Sequence, residues 1–348
     1  MTKQGWTAMV STVLFVVLIA IVSLLPVPFV SWAPGSVTNL LGTQDGRPIV
    51  QIMGTTTYPA SGQVQLTTVA VTRADATMTL PQAFLAYVLP AQQVLPREVV
   101  YPIGRPNTQQ QAEEVQQMAS AQRDSVVAAL IAAGHEVTPL PVVTQVSSSG
   151  PAYGKVQAGD LVSTVDGSAV NNRSQVQAIL AQIEPGTVVR LGLIRETQRF
   201  EVAITTVAAQ DDPSAAKLGV DLDNSFQHDV QVRFALDPDM VGESGGLAFA
   251  LTIYDELTPG DLISGRSVAA TGEINASGEV GSIGALRQKL RAAERAGAQI
   301  MLVPASNCPD VAGLSSDMDV VAVTTLTDAI TSLQLLSDPD TAQQVHRC

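Results

Sequence analysis

Two residues in the C-terminal third of the chain carry the types and spacing for acyl-transfer chemistry. Ser244 stands among glycines in Val241–Leu257, VGESGGLAFALTIYDEL, at the expected start of an almost wholly apolar helix. A helix apolar on all sides is a buried one. Unpaired N–H groups at its start stabilise negative charge developing on a carbonyl oxygen. Gly242 and Gly245 let the backbone come close to a substrate, so the backbone of Gly242, Glu243 and Gly245 is the expected oxyanion site. Serine is also a preferred N-cap, and taken alone that plainer role is the commoner one.

The second residue is Lys289, 45 positions later in GSIGALRQKLRAAERAG, Gly281–Gly297. On a helical wheel, Leu286, Leu290, Ala292, Ala293, Ala296 and Gly297 form one small or apolar face. Arg287, Gln288, Arg291, Glu294 and Arg295 form the other, and Lys289 is the one charged residue on the apolar side. Such a lysine either snorkels to the rim or stays buried with a lowered pKa. In the second case its neutral amine can take the serine proton, the established Ser-Lys variant of the catalytic triad.

These residues sit in a segment, 209–340, that alternates apolar strands with helices, the pattern of an α/β layer. Ahead of it, strands are expected at Val64–Val71, Val142–Val146, Val188–Arg195 and Phe200–Val207, with helices at Leu80–Leu89, Gln109–Ala133 and Gln175–Ile183. The chain therefore reads as α+β and multidomain. Its expected divisions are 1–33 (a stub and membrane helix), 34–124 (a β/α segment), 125–208 (a small β-domain), 209–340 and a tail, 341–348.

Gly5–Thr43 lacks any charged residue, and AMVSTVLFVVLIAIVSLL at its core is long enough to span a bilayer. Trp6 and Trp32 are expected at the two interfaces, and Lys3 puts the N-terminal end inside, leaving the bulk of the chain extracytoplasmic. Cleavage after Ser31-Trp32-Ala33 is disfavoured by the following Pro34, so an uncleaved single-pass anchor is expected. With 19 Lys plus Arg against 32 Asp plus Glu, the net charge is −13, which excludes a phosphate-backbone partner. The histidines (135, 228, 346) and cysteines (308, 348) have no metal-ligand spacing, so neither metal nor cofactor is expected. The two cysteines are compatible with a bridge or with two free thiols.

Two resemblances join these readings. Gly150-Pro151-Ala152, Gly159-Asp160, Val165-Asp166-Gly167 and Pro185-Gly186 occur in the order of a bacterial, circularly permuted PDZ domain. That resemblance implies a domain that binds extended peptide tails beside the helix Gln175–Ile183. The glycine-flanked Ser244, Ala270-Thr271-Gly272-Glu273-Ile274, the Lys289 helix and Ala296-Gly297 separated by six residues from Pro304 resemble the Lon-type proteolytic domain. The resemblance implies Ser244 as nucleophile, Lys289 as base and Thr271 as the lysine's hydrogen-bond partner; Glu273 is given no catalytic role. Glu243 and Gly245 depart from the Pro and Ala usual there. Anchor, PDZ and Lon-type domain in that order resemble the small membrane-anchored PDZ–Lon serine endopeptidases of Gram-positive bacteria. Homo-oligomeric assembly is implied by the resemblance alone. These residues contain no GxxxxGK[ST], so the expected hydrolysis of extracytoplasmic peptide or protein substrates is independent of ATP.

Three rivals compete. GESGG fits the α/β-hydrolase G-x-S-x-G elbow, but the only later histidine is His346. It also fits a trypsin-like PDZ protease, which needs His135 or His228 and leaves Thr271–Lys289 unexplained. A non-catalytic membrane-anchored PDZ adaptor is the third.

Overall fold

The computed structural model describes residues 3–102, 104, 107–195, 198–209, 212–237, 240 and 242–348; Val241, the first residue of the serine segment, lies outside them. Two compact units divide the chain, Met1–Ala133 together with Gln231–Cys348, and Gly134–Val230 inserted between them.

The first unit is built on a six-stranded mixed sheet. Its strands run Asp319–Val323, Ile300–Pro304, Ser267–Ala270, Gln63–Val71, Phe29–Asn39 and Gln93–Pro96 from edge to edge. The first four are mutually parallel; Phe29–Asn39 is antiparallel to both of its neighbours. Ile300–Pro304 is buried at every position, as a strand covered on both faces must be. The helices of this unit include α1 (Lys3–Leu24), α2 (Leu80–Val88), α3 (Arg97–Val100) and α4 (Asn107–Ala132) before the insertion. After it come α6 (Gly246–Leu257), α7 (Leu286–Arg295), α8 (Cys308–Val311) and α9 (Leu326–Leu335). The inserted unit holds α5 (Arg173–Leu180).

The apolar run after Ser244 is α6, and Gly246–Ile253 are buried without interruption. Helix α4 packs along it. Ser125 Oγ on α4 donates to the Gly246 carbonyl at 2.9 Å and to Ala121 of its own helix. Residues 34–124 are thus not a segment of their own, as the sequence had suggested. They supply two strands of the main sheet and the helix that covers α6, contacts between residues far apart in sequence that no local pattern announces.

The inserted unit is a second six-stranded sheet. Phe200 and its neighbours in Gln198–Thr205 pair with Val188–Arg195, which is followed across the sheet by Leu161–Val165, Thr138–Val146 and Val220–Gln227. The Asp166-Gly167 turn closes a small hairpin between Leu161–Val165 and Ser168–Ala169, as expected. Val162, Val165, Val176, Val189, Leu191 and Ile204 centre its core. Asp160, although buried, receives two hydrogen bonds from Arg195 at 2.7 and 2.8 Å and one from the Gln157 N–H. Burial opposes ionisation there, but these bonds outweigh it and hold the carboxyl below its usual range. The unit starts later and ends later than the expected 125–208. Residues up to Ala132 belong to α4, and Val220–Gln227 closes the sheet by pairing along Thr138–Val146.

Trp32 lies in the strand Phe29–Asn39, paired with Val71 and Gln93, with its ring against Gly284. The apolar helix α1 stops at Leu24, and the chain turns directly into sheet. Cys308 and Cys348 form a disulfide, which ties the expected tail back onto the unit. The Cys348 N–H also donates to Val320 O at 3.0 Å, and Arg347 pairs with Asp319 at 2.8 Å.

Candidate active site

Three turns of chain from different elements converge. Ser244 lies in the turn leading into α6, whose N-cap is Gly245 and carries no side-chain cap. The capping role open to Ser244 in the sequence is therefore not the one it takes. The Ser244 carbonyl accepts two hydrogen bonds, from the Gly272 N–H at 2.9 Å and from Thr271 Oγ1 at 3.1 Å. The Leu247 N–H returns a bond to the Gly272 carbonyl at 3.1 Å. The turn carrying Ser244 is thereby locked to Thr271-Gly272, just beyond the strand Ser267–Ala270.

Close approach makes glycine necessary at two points in this lock. A Cβ on Gly246 would lie 2.9 Å from the Ile274 backbone nitrogen, and one on Gly272 would lie 2.7 Å from a Val280 methyl. Gly242 adopts φ 102°, a conformation L side chains rarely take. Among the described residues the N–H groups of Glu243, Ser244 and Gly245 have no backbone acceptor, whereas that of Gly246 is engaged with Glu243 O at 3.2 Å.

Lys289 arrives from the first turn of α7. The residue before that helix, Ala285, is held at φ 57°, left-handed and costly for alanine. Asn307 enforces the turn by bonding both the N–H and the carbonyl of Ile283 at 2.9 Å. Lys289 is 4% exposed, and its Nζ donates to Thr271 Oγ1 at 3.2 Å. Burial pulls the ammonium down from 10.5 to about 8, while the Glu273 charge works the other way. No hydrogen bond joins Lys289 Nζ to Ser244 Oγ; Thr271 bridges the two residues through the Ser244 carbonyl.

Two features went unread in the sequence. Gln288, assigned by the wheel to the polar face, is fully buried beside Lys289, with neither amide atom hydrogen-bonded. Helix α7 is covered more broadly than one stripe. The second feature is a carboxyl pair. Burial first, then the charge of Glu243 and a hydrogen bond with it, raises the Glu273 carboxyl, and Lys289 partly offsets this. The pair opens on a cavity of about 330 Å³ lined also by Asp124, Glu279, Ile274 and Gly281. A glutamate next to the serine was visible in sequence; its partner across the lock was not.

Comparison with known proteins places this geometry. Residues 200–335 match the Lon protease (S16) C-terminal proteolytic domain, and residues 122–206 match the PDZ domain family. This chain carries a Lon-type proteolytic domain. It is a serine-peptidase domain, and a PDZ domain precedes it. The Lon protease of Escherichia coli K12 is 30% identical over 208 residues, covering 56% of this chain and 25% of that protein. The Lon protease of Buchnera aphidicola from Schizaphis graminum is 36% identical over 113 residues, 32% of this chain and 14% of that protein. The chain thus spans a quarter or less of the length of these relatives. The PDZ domain of the SdrC-like protein from Listeria innocua aligns with 24% of this chain and 92% of its own, at 20% identity and a TM-score of 0.23.

The Lon-type assignment removes the trypsin-like and α/β-hydrolase alternatives. The fold agrees. The unit bearing Ser244 is a mixed sheet with helices, not a pair of β-barrels. Among the described residues, the last strand before Ser244, Gln231–Phe234, pairs with Val50–Met53 outside the main sheet, and no strand leads straight into α6 as a nucleophile elbow requires. His228 is hydrogen-bonded through Nδ1 to Val230 O at 2.7 Å, within the inserted unit.

Proposed function

We propose that the chain is an ATP-independent serine endopeptidase in which Ser244 is the nucleophile and Lys289 the general base. The observation that carries this is the buried Lys289 amine, lowered to about 8 and tied through Thr271 to the carbonyl of Ser244. Lys289 takes the Ser244 Oγ proton as the oxygen attacks the scissile carbonyl, and later delivers it to the leaving amine. Hydrogen bonds of this kind tighten when substrate is bound, so their absence at rest is compatible with the role. Thr271 holds the amine in place. The unengaged N–H groups around Ser244, those of Glu243, Ser244 and Gly245 on the loop opened by Gly242, are the oxyanion donors.

The substrates are peptides or flexible protein segments presented by the PDZ domain. Helix α1 is the membrane anchor, a 22-residue helix whose apolar stretch has a mean hydropathy of 2.6. The Cys308–Cys348 disulfide supports an oxidising location for the folded units. The Phe29–Asn39 strand supports an uncleaved anchor, since a cut after Ala33 would sever it between its two neighbours and leave half a pairing.

The test is cleavage of an unstructured peptide by the full chain. Ser244→Ala and Lys289→Ala each reduce kcat by about 10³-fold or more, while His228→Ala leaves it within about two-fold. A Lys289→Ala enzyme that keeps its activity would overturn the dyad.

A further inference from the structure

Helix α2 is built inside out. Its small residues, Ala83 and Ala86, face the protein, while Leu80, Phe84, Leu85, Tyr87 and Val88 face outward. Tyr87 is 77% and Phe84 65% exposed. Positions 80, 84, 87 and 88 follow the i, i+4, i+7, i+8 stripe that a soluble helix turns toward its core. No charged residue occurs between Asp75 and Arg97 to break the patch. A single exposed leucine needs no account, but a contiguous face of large apolar side chains does.

The position of the helix says what covers it. Pro26-Val27, two residues past the end of α1, pairs antiparallel with Met78-Thr79, the two residues before α2. Thr79 and Gln82 form a capping box that fixes where α2 begins. The outward face of α2 therefore starts where α1 ends, and Leu24, Leu25 and Phe29 carry the exposed apolar surface from one helix to the other. We propose that α2 is an interfacial helix, its Leu80–Val88 face seated in the headgroup–acyl boundary of the bilayer that α1 crosses. This rests on the reading of α1 as the anchor. Tyrosine at the most exposed position suits that depth, where an aromatic ring is buried and its hydroxyl stays wet. The consequence is a proteolytic unit docked on the membrane surface rather than tethered by a single flexible stalk.

Photocrosslinking of the full chain reconstituted in phosphatidylcholine–phosphatidylglycerol vesicles tests it. Tyr87, Phe84 and, as the anchor's own probe, Phe15 of α1 are replaced one at a time by p-benzoylphenylalanine. After flotation and irradiation, all three positions are expected to gain the mass of one phospholipid. Lipid adducts at Phe15 without any at Tyr87 or Phe84 would overturn the interfacial helix and leave the anchor standing. Cross-linked dimers through Tyr87 or Phe84 would do the same and identify a second copy as the cover. A chain that fails to float, with no adduct at Phe15, would remove the anchor and this proposal together.

Discussion

The lysine at position 289 is held at a cost to stability. An ammonium that titrates near 10.5 in an unfolded chain and near 8 when buried binds its proton less well in the folded state. Below pH 8 both states are protonated and the folded state carries the penalty; stability recovers as pH rises from about 8 to 10.5. Lys289→Met, similar in volume and without the charge, should therefore stabilise the protein at neutral pH by about 2–4 kcal/mol while abolishing cleavage, as read by urea denaturation at pH 7. Equal or lower stability would mean that the amine is better solvated than its surroundings indicate. The same titration sets the pH profile, since only the neutral amine is a base: activity should rise through a limb near pH 8. Glu273→Gln removes an anion that favours the ammonium, so the limb moves to lower pH. An unmoved or raised limb in kcat against pH would exclude this coupling.

Elements decide how closely these residues approach. The turn before α6 and the strand end at Thr271-Gly272 exchange three hydrogen bonds, and Gly246 sits where they touch. Gly246→Ala puts a methyl 2.9 Å from the Ile274 backbone nitrogen, which cannot swing aside as a side chain would. The expected cost is about 1–3 kcal/mol, with loss of cleavage because the α6 turn is pushed away from Thr271. Thermal denaturation and peptide turnover measured together check both halves. Gly245→Ala contrasts with it. The nearest atom, at 2.8 Å, is the Cδ1 end of Leu66, which can rotate away. The departure from alanine seen there in sequence should be nearly silent in activity.

At the scale of the whole molecule, the disulfide and the insertion shape behaviour. Cys308–Cys348 closes a loop of sequence separation 40 and holds the last strand-like residues against Val320–Val321. Reduction, or Cys308→Ser with Cys348→Ser, should lower stability by roughly 2–4 kcal/mol. Melting with and without reductant measures it; an unchanged Tm would show that the terminus contributes nothing. The sheet that positions Thr271 also takes strands from residues before and after the inserted PDZ unit. Deleting residues 34–124 should therefore destroy the proteolytic unit rather than trim an accessory segment.

Local pattern was enough to find the parts. The apolar run after Ser244, the lone lysine on an apolar face, the T-G-E-I strand end and the PDZ turns are short-range signals, because helix and strand periods repeat within a few residues. Element ends were approximate: the strand expected at Val142–Val146 runs Thr138–Val146, and the helix expected at Gln175–Ile183 runs Arg173–Leu180. Contacts with large sequence separation were not legible. Ser125 on Gly246, Glu243 against Glu273, the burial of Gln288 and the strand order that joins Gln63–Val71 to Ser267–Ala270 each depend on where the chain returns in space. Periodicity reports which face of an element is apolar, but only packing decides how much of that element is covered and by what. For that reason the sequence by itself determined which amine and which hydroxyl were candidates. The tertiary structure decided that the amine is desolvated, that Thr271 is the link between the two, and that a carboxyl pair stands beside them.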